Sequence, residues 1–289
     1  MIAIRRAGAR AFLLGLPFAA ACTFLFWPTF RWMANRFDSA DSFYSHGWLI
    51  PLASAWLVWH RRERLRRLSP RASYGGLALL IPAAAVHVLA TWWSINAVSG
   101  FAMVAAAWGL VWTLWGRPAL WALRFPLLFL LFMVPLPGVL LISVSFYLKL
   151  LAASLATPLL RLIGIPATQG GSIIHLPGMA IIIDNTCSGL RSLISLVALA
   201  TLWTALLPAA TPRWQKLTMV AAAIPIALAA NLVRILVLVT LAVWAGPAVA
   251  EWFIHYGSGL VVFGVALAAL VGFSRLLTQQ PHAVSGPTR

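Results

Sequence analysis

Acidic side chains are almost absent. Asp38, Asp41, Glu63, Asp184 and Glu251 are the only five in 289 residues. They offer no pair of carboxylates of the kind an aspartyl intramembrane protease needs. Cysteine is nearly as scarce: Cys22 and Cys187 stand far apart, which excludes a disulfide framework and a cysteine metal site. The chain contains no HExxH, no GxSxG and no glycine-rich phosphate loop, so metalloprotease, rhomboid-type serine protease and nucleotide-binding chemistry lack their usual carriers. No metal and no cofactor is expected. Charge of either sign is low, 9% of residues, against about 25% in a soluble domain.

What remains is apolar. Hydrophobic residues make up 62% of the chain, and stretches near twenty apolar residues recur from end to end, the pattern of a polytopic helical membrane protein. The fold class expected is all-α: one integral membrane domain over 1–289, a transmembrane bundle of about eight spans. The spans are predicted at 11–30, 47–60, 74–93, 95–115, 119–136, 187–208, 217–245 and 254–274. The first, after Arg5, Arg6 and Arg10, reads as a retained signal anchor.

The segment 138–160 is apolar but carries Ser143, Ser145, Tyr147, Lys149 and Ser154. It is either a ninth span or an interfacial or re-entrant helix. The formal charge of +16 helps decide. If 138–160 stays outside and both termini lie inside, the Arg61–Arg67 run, Arg117, Arg124, Arg213, Lys216 and Arg275 all fall on the cytoplasmic side, as the positive-inside rule requires. That arrangement is preferred here. The same distribution makes nucleic acid a poor partner and anionic membrane lipid a good one. Between 161 and 186, glycines and prolines bracket two β-rich runs around Pro177-Gly178, which predicts a small extracytoplasmic hairpin able to serve as a lid or as an edge for an extended peptide. The tail 279–289 is polar and is expected to be disordered.

Three residue types on three predicted spans carry the chemistry. Cys187 stands where a polar loop meets an apolar helix, followed by Ser188, Gly189 and Arg191. A helix start favours a thiolate, and its N–H groups suit an oxyanion. Arg191, four residues on, would share its helix face. Arg234 lies inside an apolar helix with Asn231 one turn earlier, and an arginine at membrane depth is a functional signal. His255, before Tyr256-Gly257-Ser258-Gly259, supplies an acid–base group. In the preferred topology all three share one depth at the outer face. A buried structural thiol is the plain alternative for Cys187, as it is for Cys22. His46 is a candidate substrate or supporting residue, or an interfacial anchor. His175 belongs to the hairpin, and His87 reads as a span filler.

These residues form an ordered set: Tyr44-Ser45-His46-Gly47 with Pro51, Pro135-Leu136-Pro137, the glycine-rich hairpin, CSGLRSL at 187–193, Asn231-Leu232-Val233-Arg234-Ile235, and His255 with Gly259. The set resembles the exosortase/archaeosortase family of bacterial and archaeal membrane proteins from about residue 12 to 275. The resemblance implies a cysteine protease or transpeptidase of the cytoplasmic membrane, its site facing outward, with Cys187, Arg234 and His255 as the catalytic triad. It implies membrane-anchored protein substrates that end in a short motif (Pro-Glu-Pro in the best-known class), a transmembrane helix and a basic tail, and a link to exopolysaccharide production. Arg191, Ser188, Gly189, Asn231, His46 and Asn185 would support the triad or the substrate. The family often has an acidic residue two positions before the cysteine; Asn185 stands there, with Asp184 one earlier. Other readings are a non-enzymatic membrane component of exopolysaccharide synthesis or export, and an acyltransferase acting on lipids.

Overall fold

The computed structural model describes residue 17 and residues 20–39, 42–68, 71–185, 187–208, 210–253 and 258–279. His255, much of the first predicted span and nearly all of the tail lie outside the described residues. Contacts gather the chain into two compact units, Met1–Pro137 and Gly138–Arg289.

In the first unit, α1 (Trp27–Asp38) leads through a 3-10 turn (Ser45–Trp48) into α2 (Leu49–His60) and the short basic α3 (Arg62–Arg66). Then come α4 (Leu77–Trp92) and α5 (Asn96–Phe129). The backbone leaves helical geometry at Gly116, with φ 82° and ψ 175°. α5 is therefore two rods joined at a glycine, which matches the break expected between residues 115 and 119. α4 and α5 pack closely because Gly109 has no side chain: a Cβ there would lie 2.7 Å from the backbone nitrogen of Leu80. Such small-residue contacts replace the hydrophobic effect as the packing force among helices in lipid.

A polar cluster ties three of these helices together. Thr29 (α1), His87 (α4) and Ser99 (α5) are all buried. The carbonyl of Leu25 can only accept, so His87 Nε2 donates to it at 2.9 Å. His87 Nδ1 is then an acceptor and takes the Ser99 hydroxyl proton at 2.7 Å. Thr29 Oγ1 bonds to Ser99 Oγ in turn. Reading His87 as a span filler missed this role, because the cluster exists only once three helices converge.

The second unit opens with α6 (Gly138–Leu162). It is one continuous helix of 25 residues, long and apolar enough to cross a membrane. Its length therefore lends no support to the preferred interfacial placement. The hairpin follows as predicted, with an added strand. β1 (Thr168–Gly170), β2 (Ile173–Leu176) and β3 (Met179–Ile182) form an antiparallel sheet in sequence order. Leu176 pairs with Met179, so Pro177 and Gly178 form a two-residue turn, and the φ of 79° at Gly178 suits its second position. Next come α7 (Leu190–Leu206), α8 (Arg213–Trp244), the short α9 (Pro247–Trp252) and α10 (Ser258–Gln279).

Two apolar clusters hold this unit. Leu196 and Ala200 of α7 meet Met219, Ala223 and Ala227 of α8 and Val262, Ala266 and Leu270 of α10. Nearer the sheet, Ala153, Ala156 and Leu160 of α6 meet Ile235, Leu238 and Val239 of α8, together with Ile174 of β2 and Cys187. Among the described residues four helical stretches are long and apolar enough to span: Tyr74–Trp92, Asn96–Met133, Gly138–Leu162 and Arg213–Trp244, with Leu190–Leu206 and Val261–Leu277 shorter. Trp92, Ile142, Leu217 and Trp244 stand exposed on these helices, as expected where lipid is the solvent.

Candidate active site

Cys187 is buried, 4% exposed, in the loop between β3 and α7. It does not open the helix, as the sequence suggested. α7 starts at Leu190, and its N-cap is Gly189, in the left-handed region at φ 77°. Arg191 sits in the first turn of α7 and Cys187 precedes the helix, so the two do not share a helix face, although Cys187 stays near the helix N-terminus, two residues before its N-cap.

The loop is held by side chains instead. Asp184 Oδ1 accepts the Cys187 backbone N–H at 2.9 Å. Ser188 Oγ donates to the Asn185 carbonyl at 2.8 Å and accepts the Leu190 N–H at 3.3 Å. From α6, Ser145 Oγ donates to Asn185 Oδ1 at 3.3 Å. From α8, Asn231 Nδ2 donates to the Cys187 carbonyl at 2.8 Å. Gly189 permits that last contact: a Cβ on it would lie 2.8 Å from Asn231 Cγ.

Asn231 and Arg234 are both buried on α8, at 3% and 8% exposure. They are one turn apart, hence on one face. Seating the Cys187 loop on Asn231 thus places the cysteine against the side of α8 that carries Arg234. Five of the predicted residues, Cys187, Asn185, Ser188, Gly189 and Asn231, come together here. Asp184, whose role the sequence left open, joins them as a cap. His255 lies outside the described residues. Two positions before it, Phe253 packs on the apolar cluster that contains Cys187.

The hairpin adds an open cavity of about 500 Å³ lined by Arg161, Pro166, Ala167, Thr168, His175, Leu176 and Pro177. Arg161 Nε is anchored on the Ala167 carbonyl at 2.6 Å. β1 is exposed along its length and forms one edge of the sheet. No group of three or more His, Cys, Asp or Glu suited to a metal ion occurs among the described residues.

His46 belongs to the other unit and is described there alone. It stacks on Tyr44 with ring centroids 5.8 Å apart. The Leu136 N–H donates to the Tyr44 hydroxyl at 3.2 Å, which joins the Tyr44–Gly47 stretch to the Pro135–Pro137 element. Gly47 packs under the Phe37 ring, which leaves no room for a Cβ, and Trp48 Nε1 donates to Asp38 at 2.9 Å. Burial pushes the His46 imidazole down to about 4.

Residues 32–272 match a family model described as transmembrane exosortase. No curated protein matches the chain, and no solved structure does.

Proposed function

Because the chain belongs to the transmembrane exosortase family, we propose that it is a membrane-embedded cysteine protease or transpeptidase. It cleaves C-terminal sorting signals of exported, membrane-anchored proteins at the outer face of the cytoplasmic membrane. The observation that carries this reading is the bond from Asn231 to the Cys187 carbonyl, which seats a cysteine on the helix face that bears a buried arginine.

The chemistry assigns each group a role. The Cys187 thiolate attacks the scissile carbonyl, forming a C–S bond and a tetrahedral oxyanion. The Arg234 guanidinium stabilises the thiolate beforehand and the oxyanion afterwards. Collapse breaks the C–N bond, and His255 gives its proton to the leaving amine. The thioester is then taken by water, which completes proteolysis, or by an amine, lipid or glycan acceptor, which completes transfer. In either case His255 removes the acceptor's proton and Cys187 leaves as thiolate. Arg191, next to the loop in sequence, adds positive charge near the site. The substrate's own helix docks from the lipid, and its extended motif lies along the exposed β1 edge and the cavity beside Arg161 and His175. Partners of the exopolysaccharide machinery fit the family's usual setting.

The test is a co-expressed reporter ending in Pro-Glu-Pro, one apolar helix and an arginine cluster. Cys187→Ala and Cys187→Ser should both leave it uncut while the protein remains in the membrane at normal abundance. Full processing by Cys187→Ala would end the proposal.

A further inference from the structure

The geometry points to Asp184 and Asn231 as a pair of positioning residues that hold the Cys187 backbone from both sides. The inference rests on the reading of Cys187 as nucleophile and deepens it. A side chain grips each polar group of the Cys187 main chain. The Asp184 carboxylate takes its N–H at 2.9 Å, and the Asn231 amide gives a proton to its carbonyl at 2.8 Å. Asp184 belongs to the same loop, whereas Asn231 belongs to the helix that carries Arg234. The first bond sets the shape of the loop. The second sets its place relative to the guanidinium.

Three features show that Asn231 is kept for position and not for stability. A carbonyl can only accept, so the amide nitrogen must face Cys187, which leaves Oδ1 turned elsewhere. Asn231 Oδ1 is buried and has no hydrogen-bond partner among the described residues. A buried acceptor without a partner is a net cost, which an apolar side chain of similar size would avoid. The bond also needs Gly189 in a left-handed conformation, with the amide filling the space of a missing Cβ. Asparagine and glycine are therefore coupled choices at this contact.

The role assigned to Asp184 is that of a hydrogen-bond acceptor. Asparagine at this position keeps an acceptor oxygen on the same branch, so Asp184→Asn preserves the bond to the Cys187 N–H that Asp184→Ala removes. Asn231→Asp keeps the shape and removes the donor. The thiol sets a convenient readout, because Cys22 can be changed to serine and Cys187 is then the only cysteine in the chain.

The experiment measures alkylation of Cys187 by N-ethylmaleimide in membranes across pH 6–9, in the Cys22→Ser protein, beside processing of the reporter described above. In Asp184→Ala and Asn231→Asp, alkylation should rise at least threefold as the buried thiol loosens, yet stay below the rate in detergent-denatured protein. Processing should fall at least tenfold in the same variants. Asp184→Asn, which keeps the acceptor, should match the parent in alkylation. The thiol thus becomes easier to reach and less productive, a combination that general unfolding does not give, since unfolding would bring alkylation to the denatured rate. Parental alkylation and processing in Asn231→Asp, or an Asp184→Asn protein alkylated as fast as Asp184→Ala, would overturn the inference. If Asn231→Asp fails to accumulate, the two Asp184 variants decide it. Cys187→Ala reports separately: continued processing there removes the nucleophile, while the alkylation comparison still decides whether the two side chains hold the loop.

Discussion

Each unit of the chain buries a group of polar side chains, and the two groups are finished differently. In the first unit Thr29, Ser99 and His87 pass hydrogen bonds in one direction and end on the Leu25 carbonyl. Every ring nitrogen there has a partner. In the second unit Asn231 spends its donor on the Cys187 carbonyl and, among the described residues, has an acceptor left over, with the buried Arg234 one turn along. A satisfied network in an apolar interior rigidifies. An incomplete one costs stability and marks a place kept for another purpose. Under the proposed function the first group serves packing and the second holds the loop of the nucleophile.

The sharpest way to break that contrast is at the sulfur. Cys187→Ala should lower reporter cleavage by roughly 10⁴-fold or more, in effect to background, with unchanged protein in the membrane fraction. Next comes the guanidinium: Arg234→Leu should cost on the order of 10²–10³ in cleavage rate. Arg234→Lys should recover only part of it, because lysine lacks the planar fork. Both are read from initial rates on the reporter. The first unit should answer in stability instead. His87→Leu strands the Ser99 donor and the Leu25 carbonyl and should cost about 1–2 kcal/mol in detergent unfolding. The triple change Thr29→Val, His87→Leu, Ser99→Ala should cost less than His87→Leu alone, because only the Leu25 carbonyl is then left without its side-chain partner. Neither should alter the rate per folded molecule.

The smallest effect concerns His46. Its folded value of about 4 lies below the ordinary 6.5, so between those values the unfolded chain binds more protons than the folded one. Stability contributed here is complete above about 6.5 and declines as pH falls towards 4. His46→Leu should flatten that slope in unfolding curves collected across this window. A slope that survives the change would assign it to another group.

Much of the helical plan was legible because apolar stretches near twenty residues are a strong signal. The Pro177-Gly178 turn was legible for the same kind of reason: only certain residues suit that geometry. The start of α7 was not. Cys187 and Ser188 look like a first helical turn until Gly189 turns left-handed, and the Asn231 side chain that leaves no room for a Cβ there lies more than forty positions away. Asn231 was found through its spacing from Arg234, although its bond to the Cys187 carbonyl needed coordinates. Asp184 was noticed as an off-register carboxylate, and its bond to a backbone N–H explains how that register is used. The Thr29–His87–Ser99 group left no trace in sequence, since three isolated polar residues in three oily stretches resemble ordinary fillers.

The length of α8 bears on how an arginine can rest inside an oily rod. At 32 residues it measures about 48 Å at 1.5 Å per residue, well beyond the roughly 30 Å of hydrocarbon it must cross. The surplus has to lean or overhang. If Arg213 and Lys216 lie among headgroups, as the proposed topology has them, the oily portion begins at Leu217. Counted from there, the guanidinium of Arg234 sits about 25 Å along the rod, close to the opposite shoreline of the bilayer. In the proposed reading its charge would then reach water and substrate together, and a thicker membrane would strand it.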